Sequence, residues 1–188
     1  MGLLKNIGSL AAIAGKRLSK SMDPDRFLME SMGALIELAK RDESDFASTP
    51  HRRGESLKLM FAGYVGSRNT GADVRVEEML RQFRHLLGDD AVDLTVLTLD
   101  RSRTSGYFSR TRQQELPQLF PKFLYDEVPK HHGLIACEGS MFKSKFANAL
   151  TVMMAGSIGL AQARSRMAVA YGGEAGSVDP ELEAFGKE

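Results

Sequence analysis

The sequence predicts an α/β fold in which a Rossmann-like parallel sheet is flanked by helices and preceded by two N-terminal helices. From residue 57 onward, short apolar segments alternate with amphipathic ones. The apolar segments lack the polar alternation of half-exposed strands, which is typical of a parallel sheet covered on both faces. The 188 residues, 43% of them hydrophobic, can bury such a core. We expect a helical segment at 1–46, a linker at 47–56 and an α/β domain at 57–188.

Charge and cysteine content narrow the classes of function. The 25 basic and 24 acidic residues leave a formal charge of +1, so no overall field attracts nucleic acid and any anion site must be local. Cys137, the single cysteine, excludes an internal disulfide framework and fits a reducing compartment, so the expected location is the cytoplasm. One cysteine and four scattered histidines offer no metal-ligand spacing.

The first twenty residues predict an amphipathic helix. Apolar residues recur there at steps of three and four: Leu3, Ile7, Leu10, Ala14 and Leu18. Lys16, Arg17 and Lys20 follow the apolar residues, which is the wrong order for a secretion signal. The favoured interpretation is a helix packed on its own domain. The alternative is weak peripheral contact with the inner membrane surface through residues 1–20.

A second helix is predicted from Asp23, a suitable N-cap, and Pro24, a suitable first helical residue. Its apolar stripe is Leu28, Met32, Leu35 and Ala39. The segment 47–56 has no apolar period and contains Pro50 and Gly54, so it is predicted to be a linker.

The remaining elements follow in alternation. Strands are predicted at 57–65, 92–100, 133–139 and 167–176, a weak edge strand at 114–120, and helices at 74–88, 121–132 and 145–165. The apolar run 146–163 has the length of a membrane span. Its polar and small residues, such as Asn148, Ser157 and Gly159, favour a buried core helix instead.

Ligands of open parallel sheets bind beyond the carboxyl ends of the strands. The first strand ends in a loop with the sequence GYVGSRNTG, residues 63–71, whose glycines permit close approach of a ligand to the next helix. Gly66 and Gly71 have the spacing of the phosphate-loop motif GxxxxGK[ST]. Ala72 and Asp73, however, stand where that motif requires lysine and then serine or threonine. The GxGxxG fingerprint is also absent. A ligand loop is favoured over a tight turn without a ligand.

We call the segment that follows the carboxyl end of each strand its exit. The exit of the second strand carries four arginines that could bind an anionic ligand or lie in a solvated loop: Arg101, Arg103, Arg110 and Arg112. At the third exit, Glu138 could orient ligand hydroxyls. His131 and His132 precede that strand and should lie some 15 Å from Cys137 at roughly 3.3 Å per residue, so Cys137 is predicted to be structural. The fourth exit, GGEAG at 172–176, leads to a predicted N-cap at Asp179.

Three of these segments resemble the N-terminal half of the polysaccharide pyruvyl transferase family: 63–80, 133–142 and 169–176. Asn69, Gly71 and Asp73 match the family's first motif, with Ala72 in place of an acidic residue. Gly139 and Ser140 fall at its glycine-rich turn, where Cys137 and Glu138 depart from the pattern. The turn at 172–176 resembles a later glycine-rich turn, and the resemblance covers roughly residues 57–178.

The resemblance implies one half of a GT-B-like fold, in which two Rossmann-like domains face each other. It also implies transfer of a pyruvyl group from phosphoenolpyruvate to sugar hydroxyls, forming a ketal in cell-surface glycan biosynthesis without a cofactor. The family's donor-binding residues lie mainly in its C-terminal half, so we expect a chain truncated before that half. The expected partners are a sugar or glycan acceptor and a C-terminal half or partner chain, with no nucleic acid.

The resemblance and the strand exits together define the candidate site residues. Asp73 is the candidate for catalytic support. The candidate substrate-binding residues are Gly63, Gly66, Ser67, Asn69, Thr70, Gly71, Arg103, Arg110, Glu138, Gly139, Ser140, Gly173 and Glu174. Two alternatives remain open at this point: a GT-B-type glycosyltransferase half that uses a nucleotide sugar, and a non-catalytic glycan-binding or partner module.

Overall fold

A computed structural model describes residues 23–41, 51–139, 142–144 and 148–187. These residues form an α/β fold with a five-stranded, all-parallel sheet flanked by helices, consistent with the Rossmann-like architecture that the sequence predicts. The helix predicted within residues 1–20 lies outside the described residues.

The helices and strands follow one another in the expected alternation. In chain order they are α1 (Pro24–Arg41), β1 (Leu57–Ala62), α2 (Thr70–Leu87), β2 (Val92–Thr98), α3 (Arg101–Thr104), β3 (Arg112–Glu115), α4 (Phe120–Glu127), β4 (Gly133–Ala136), α5 (Asn148–Ala163), β5 (Met167–Ala170) and α6 (Pro180–Lys187). The edge strand predicted at 114–120 overlaps β3 only at residues 114–115, and residues 116–120 do not form a strand.

The strand order β3-β2-β1-β4-β5 places the topological switch point between β1 and β4. The chain runs outward from β1 to β3 and then crosses back to begin β4 on the other side of β1. Ala62 pairs with Ala136, so both strands end level at the carboxyl edge of the sheet. A crevice between the loops that follow β1 and β4 is therefore expected, and such a crevice is the usual ligand site of this architecture.

Helix α1 shares a hydrophobic core with the sheet. Met32 is fully buried and belongs to the same apolar cluster as Met60 of β1. A Cβ atom at Gly156 of α5 would lie 2.4 Å from Cγ of Met32, so the glycine allows α1 and α5 to pack in close contact. Helix α1 is thus joined to the rest of the fold through α5.

The other face of the sheet is covered by α2. Val76 and Leu80 are fully buried against Phe61 and Ile135. The helix ends at Gly88, whose φ of +95° suits glycine and whose N–H donates to the Arg84 carbonyl. This packing fixes the first turns of α2 beside the carboxyl edge of β1.

Helix α5 is part of the core, as the sequence predicts. Its buried residues include Val152, Met154 and Leu160. Among the helices of the described residues, none combines the length and the apolar character needed to cross a membrane.

His131 is buried at the amino-terminal edge of the sheet, with 6% of its surface exposed. Its Nδ1 lies 3.0 Å from the Glu127 carbonyl oxygen, which can only accept, so Nδ1 carries the proton. Nε2, 3.1 Å from the Thr95 hydroxyl, is then the acceptor. Burial lowers the pKa of His131 below its ordinary value, because the charged form loses hydration.

We expect this buried neutral histidine to make the fold less stable in mild acid. Unfolded His131 takes up a proton near pH 6.5, whereas folded His131 does so only at lower pH, so the free energy of unfolding falls as pH drops below 6.5. Urea denaturation of the wild type and of His131→Gln at pH 7.5 and 5.5 measures this effect. The variant should lose less stability between the two pH values than the wild type. Equal losses would contradict the assignment.

Candidate functional site

Three turns, each containing at least one glycine, meet at the carboxyl edge of the sheet. A Cβ atom at Gly63 would lie 3.0 Å from Sγ of Cys137 and 3.3 Å from its carbonyl oxygen, so the exits of β1 and β4 are in direct contact. The N–H of Glu174 donates to the carbonyl of Gly139 over 2.9 Å, which joins the exit of β5 to that of β4. Because open parallel sheets bind ligands at a topological switch point, we call the group of turns 63–69, 137–139 and 172–174 the switch-point crevice.

The first turn is held by two residues that the sequence singles out. The side chain of Asn69 is the N-cap of α2, because its Oδ1 accepts from the N–H of Gly71 at 3.1 Å and of Ala72 at 3.4 Å. Oδ1 of Asp73 accepts from the N–H of Gly66 over 3.2 Å. Asp73, predicted to give catalytic support, is therefore a positioning residue in this geometry.

The rest of the first turn is shaped by its own backbone. Ser67 Oγ donates to the Tyr64 carbonyl at 2.9 Å, and Arg68 has a φ of +65°, which is uncommon outside glycine. Asn69, Thr70 and Gly71 are exposed. The turn therefore presents a fixed, accessible surface on the helix α2 side of the crevice.

Glu138 carries the unpartnered polar atom of the crevice. It is 8% exposed, and its Oε1 accepts from the N–H of Gly139 at 2.7 Å. Its Oε2 is buried and receives no hydrogen bond in the described part of the chain. A buried carboxylate oxygen without a donor costs free energy, and a hydroxyl or ammonium donor that reached it would relieve that cost.

Arg75 of α2 crosses the crevice and was not singled out by the sequence. Its Nη1 donates to the Gly172 carbonyl of the third turn. Its guanidinium lies over Gly139, where a Cβ atom would be 2.9 Å from Nη2. Arg75 thus joins the second and third turns and brings a permanent positive charge to the crevice.

The third turn forms the rim. The carboxylate of Glu174 pairs with Lys143, and this hydrogen bond lowers the pKa of Glu174. Gly173 is exposed. Ser140, the remaining candidate of the second turn, lies outside the described residues.

The two arginine candidates of the second exit are not brought together. Arg103 pairs with Asp100 at 2.8 Å, directly after β2 at the carboxyl edge. Arg110 pairs with Asp89 at 3.1 Å, and Asp89 precedes β2, so Arg110 lies toward the amino edge of the sheet. Arg110 was predicted to lie with the candidate site at the strand exits, but it is remote from them. Position along a loop does not reveal which edge of the sheet a side chain reaches.

Cys137 is structural, as predicted. It is fully buried, its Sγ donates to the Ala62 carbonyl at 3.3 Å, and burial raises the pKa of its thiol. Both histidines that neighbour it in sequence precede β4, at the other end of the strand. Over the described ranges, no group of three or more metal-ligating side chains comes together.

A depression outside these three turns has Phe142, which follows β4, among its lining residues. It has a volume of about 420 Å³ and opens between α1, α5 and α6, with Ile36, Ile158 and Phe185 among its lining residues. Its charged residues Glu37 and Lys40 pair with each other at 2.8 Å. The switch-point crevice is the stronger candidate, because it combines a buried unpartnered acceptor with an adjacent cation.

Chemically, the crevice suits a ligand that carries hydroxyl donors beside an anionic group. Oε2 of Glu138 can accept from a hydroxyl, and the Arg75 guanidinium can face a carboxylate or phosphate. No known protein family, characterised protein or solved structure matches the chain. The grounds for proposing a function are therefore the fold, the crevice and the resemblance described above.

Proposed function

We propose that this protein is polysaccharide pyruvyl transferase-like and supplies the acceptor-side half for pyruvyl transfer from phosphoenolpyruvate to sugar hydroxyls. One observation carries the proposal. The three turns 63–69, 137–139 and 172–174, one from each segment of the resemblance, are separated by 67 and 32 residues in sequence, yet they contact one another at the switch point.

The crevice offers groups that this reaction uses. Two sugar hydroxyls add to the enol carbon of phosphoenolpyruvate, the methylene carbon takes up a proton, and phosphate leaves as the ketal closes. Glu138 Oε2 would accept a hydrogen bond from an acceptor hydroxyl and so orient the sugar. Arg75 would face an anionic group of the ligand, and Asn69 and Asp73 would act by holding the first turn.

A non-catalytic glycan-binding module is the second candidate, favoured by a specific observation. Asn69 and Asp73 are the polar residues of the first motif, and a side-chain oxygen of each accepts a hydrogen bond from the backbone of the turn itself. A binding module would retain the sugar contact at Glu138 without needing phosphoenolpyruvate. The two candidates therefore differ in their response to the donor.

Thermal melts of the purified chain distinguish these possibilities. The ligands are phosphoenolpyruvate, inorganic phosphate, a nucleotide sugar, and methyl glycosides of galactose, mannose and N-acetylglucosamine. A ligand that binds only the folded state adds about 2.7 kcal/mol at a concentration of a hundred times its Kd. We expect stabilisation by a glycoside that increases when phosphoenolpyruvate is added, because Arg75 of this chain would face the phosphate or carboxylate of the donor. If only a glycoside stabilises the chain, the binding module is favoured. If only the nucleotide sugar stabilises it, the glycosyltransferase half is favoured. If no ligand stabilises the chain, the proposal is contradicted.

Glu138→Gln is the variant that probes the crevice. The amide oxygen of glutamine can still accept from Gly139 N–H, while the buried charge at Oε2 is removed. We expect the melting temperature without ligand to stay equal or rise, and the stabilisation by glycoside to be lost. Glu181→Gln, on the exposed face of α6, is the matched control and should retain that stabilisation. A marked fall in the melting temperature of Glu138→Gln would instead indicate a structural role.

A further inference from the structure

Strand β5 is an open edge of the sheet with an exposed apolar face. Within the described residues, β4 alone pairs with β5. The large side chains of Met167, Val169 and Tyr171 are 45%, 37% and 46% exposed. They alternate along the strand and so point to the same face. We call residues 167–171 the β5 edge.

Helix α2 covers this face only in part. Val169 pairs with Ile135, so the exposed side chains lie on the α2 side of the sheet. The Tyr171 hydroxyl reaches Gln82 of α2 at 3.5 Å. Leu86, one turn further along α2, is 78% exposed. The apolar surface of the β5 edge therefore extends toward the C-terminal turns of α2.

The backbone of the β5 edge is open as well. Met167 N–H donates to the His132 carbonyl and Tyr171 N–H to the Ala136 carbonyl, both on the β4 side. Alternate residues of a parallel strand bond to the same neighbour, so the N–H and C=O groups of Ala168 and Ala170 point to the open side. Sheet edges are normally protected by a charge, a proline or a bulge. Residues 167–171 contain no charged residue and no proline.

We propose that the β5 edge pairs antiparallel with the β5 edge of a second copy of this chain. With Val169 opposite Val169 of the second copy, Ala168 lies opposite Ala170 and the two exchange hydrogen bonds in both directions. Met167 then lies opposite Tyr171, so apolar side chains meet on one face and alanines on the other. Large and small side chains alternate along residues 167–171 in an order that is the same from either end, which suits a contact between two copies related by a two-fold axis.

Charge also favours a second copy as the occupant. A two-fold axis at Val169 brings the same short segment of both copies together, so a charge in that segment would meet a like charge, whereas the uncharged 167–171 meets none. The pairing is short, so it buries less than the roughly 800 Å² per partner of a standard interface. We therefore expect a dissociation constant for the dimer of about 1–100 µM. Antiparallel pairing puts the two crevices at opposite ends of the joined sheet, so the dimer is independent of the proposed function.

Sedimentation velocity of the full chain from about 1 to 500 µM tests the dimer, since this range brackets the expected dissociation constant. The wild type should pass from monomer to dimer, and Val169→Lys should remain monomeric with an unchanged circular dichroism spectrum. Leu119→Lys replaces an exposed leucine before α4 and should dimerise as the wild type does. A wild type that stays monomeric throughout would overturn the proposal.

A cross-link checks the register and does not depend on the lysine variant folding. Opposed Cβ atoms in a non-hydrogen-bonded antiparallel pair are about 4.5–5.5 Å apart, close enough for a disulfide after small adjustment. Val169→Cys should form a covalent dimer under mild oxidation, whereas Leu119→Cys should not. The native Cys137 is buried and does not interfere. Equal cross-linking of both variants would overturn the proposed register.

Discussion

Replacing Gly66 with alanine should lower the free energy of unfolding by about 2–4 kcal/mol, because backbone strain and a steric clash add together. Gly66 has a φ of +79°, which alanine rarely adopts. A Cβ atom there would lie 2.4 Å from Thr98 Oγ1 and 3.0 Å from the backbone nitrogen of Asp100. The first turn would have to move away from the exit of β2. Urea denaturation followed by circular dichroism measures the loss.

Gly54→Ala is the matched control for this prediction. Gly54 also has a positive φ, +94°, but nothing lies within 4 Å of a Cβ atom there. Its substitution should cost about 1 kcal/mol, the backbone contribution alone. Equal losses for the two variants would show that the first turn is not packed against Thr98 as described.

Truncating Met32 to alanine should lower the stability of the whole chain by about 2–5 kcal/mol, the usual cost of a cavity in a well-packed core. Met32 of α1 is fully buried against α5 and belongs to the same apolar cluster as residues of β1. The loss should appear in a single transition, because α1 belongs to the same core as the sheet. Circular dichroism and tyrosine fluorescence followed in urea should give coincident curves.

Gly33→Ala provides the opposite change on the same helix. Nothing lies within 4 Å of a Cβ atom at Gly33, and alanine favours the helix by about 0.5–1 kcal/mol over glycine. This variant should be slightly more stable than the wild type. Separate transitions for α1 and the sheet in Met32→Ala would contradict the shared core.

Secondary structure was predictable where the periodicity is strong. Helix α2 shows its buried face as Val76, Met79 and Leu80 at helical spacing, and Gly88 marks its end. The four apolar strands begin where the sequence predicts but end earlier, as at β5, which stops at Ala170 and not at residue 176, because the turns that follow them do not pair as strands. The edge strand β3 was placed less well, because its residues Arg112–Glu115 are polar and carry no apolar period.

The crevice was predictable in outline only. The rule that ligands bind beyond strand ends located the three turns, but the strand order that makes them neighbours comes from long-range packing. Arg75 was missed because an arginine in an amphipathic helix usually belongs to its solvated face, and only the close approach of Gly139 reveals its role. Asn69 and Asp73 hold the first turn through hydrogen bonds that depend on its folded geometry and that the sequence does not reveal.

A ¹H–¹⁵N NMR titration of the labelled chain with the methyl glycosides, with and without phosphoenolpyruvate, tests whether the switch-point crevice binds a sugar. We expect amide shifts to concentrate in the turns 63–69, 137–139 and 172–174 and to disappear in Glu138→Gln. Shifts centred on the depression between α1, α5 and α6, for example at Gly33 and Gly159, would contradict this expectation. An unchanged spectrum at saturating glycoside and phosphoenolpyruvate would contradict it equally.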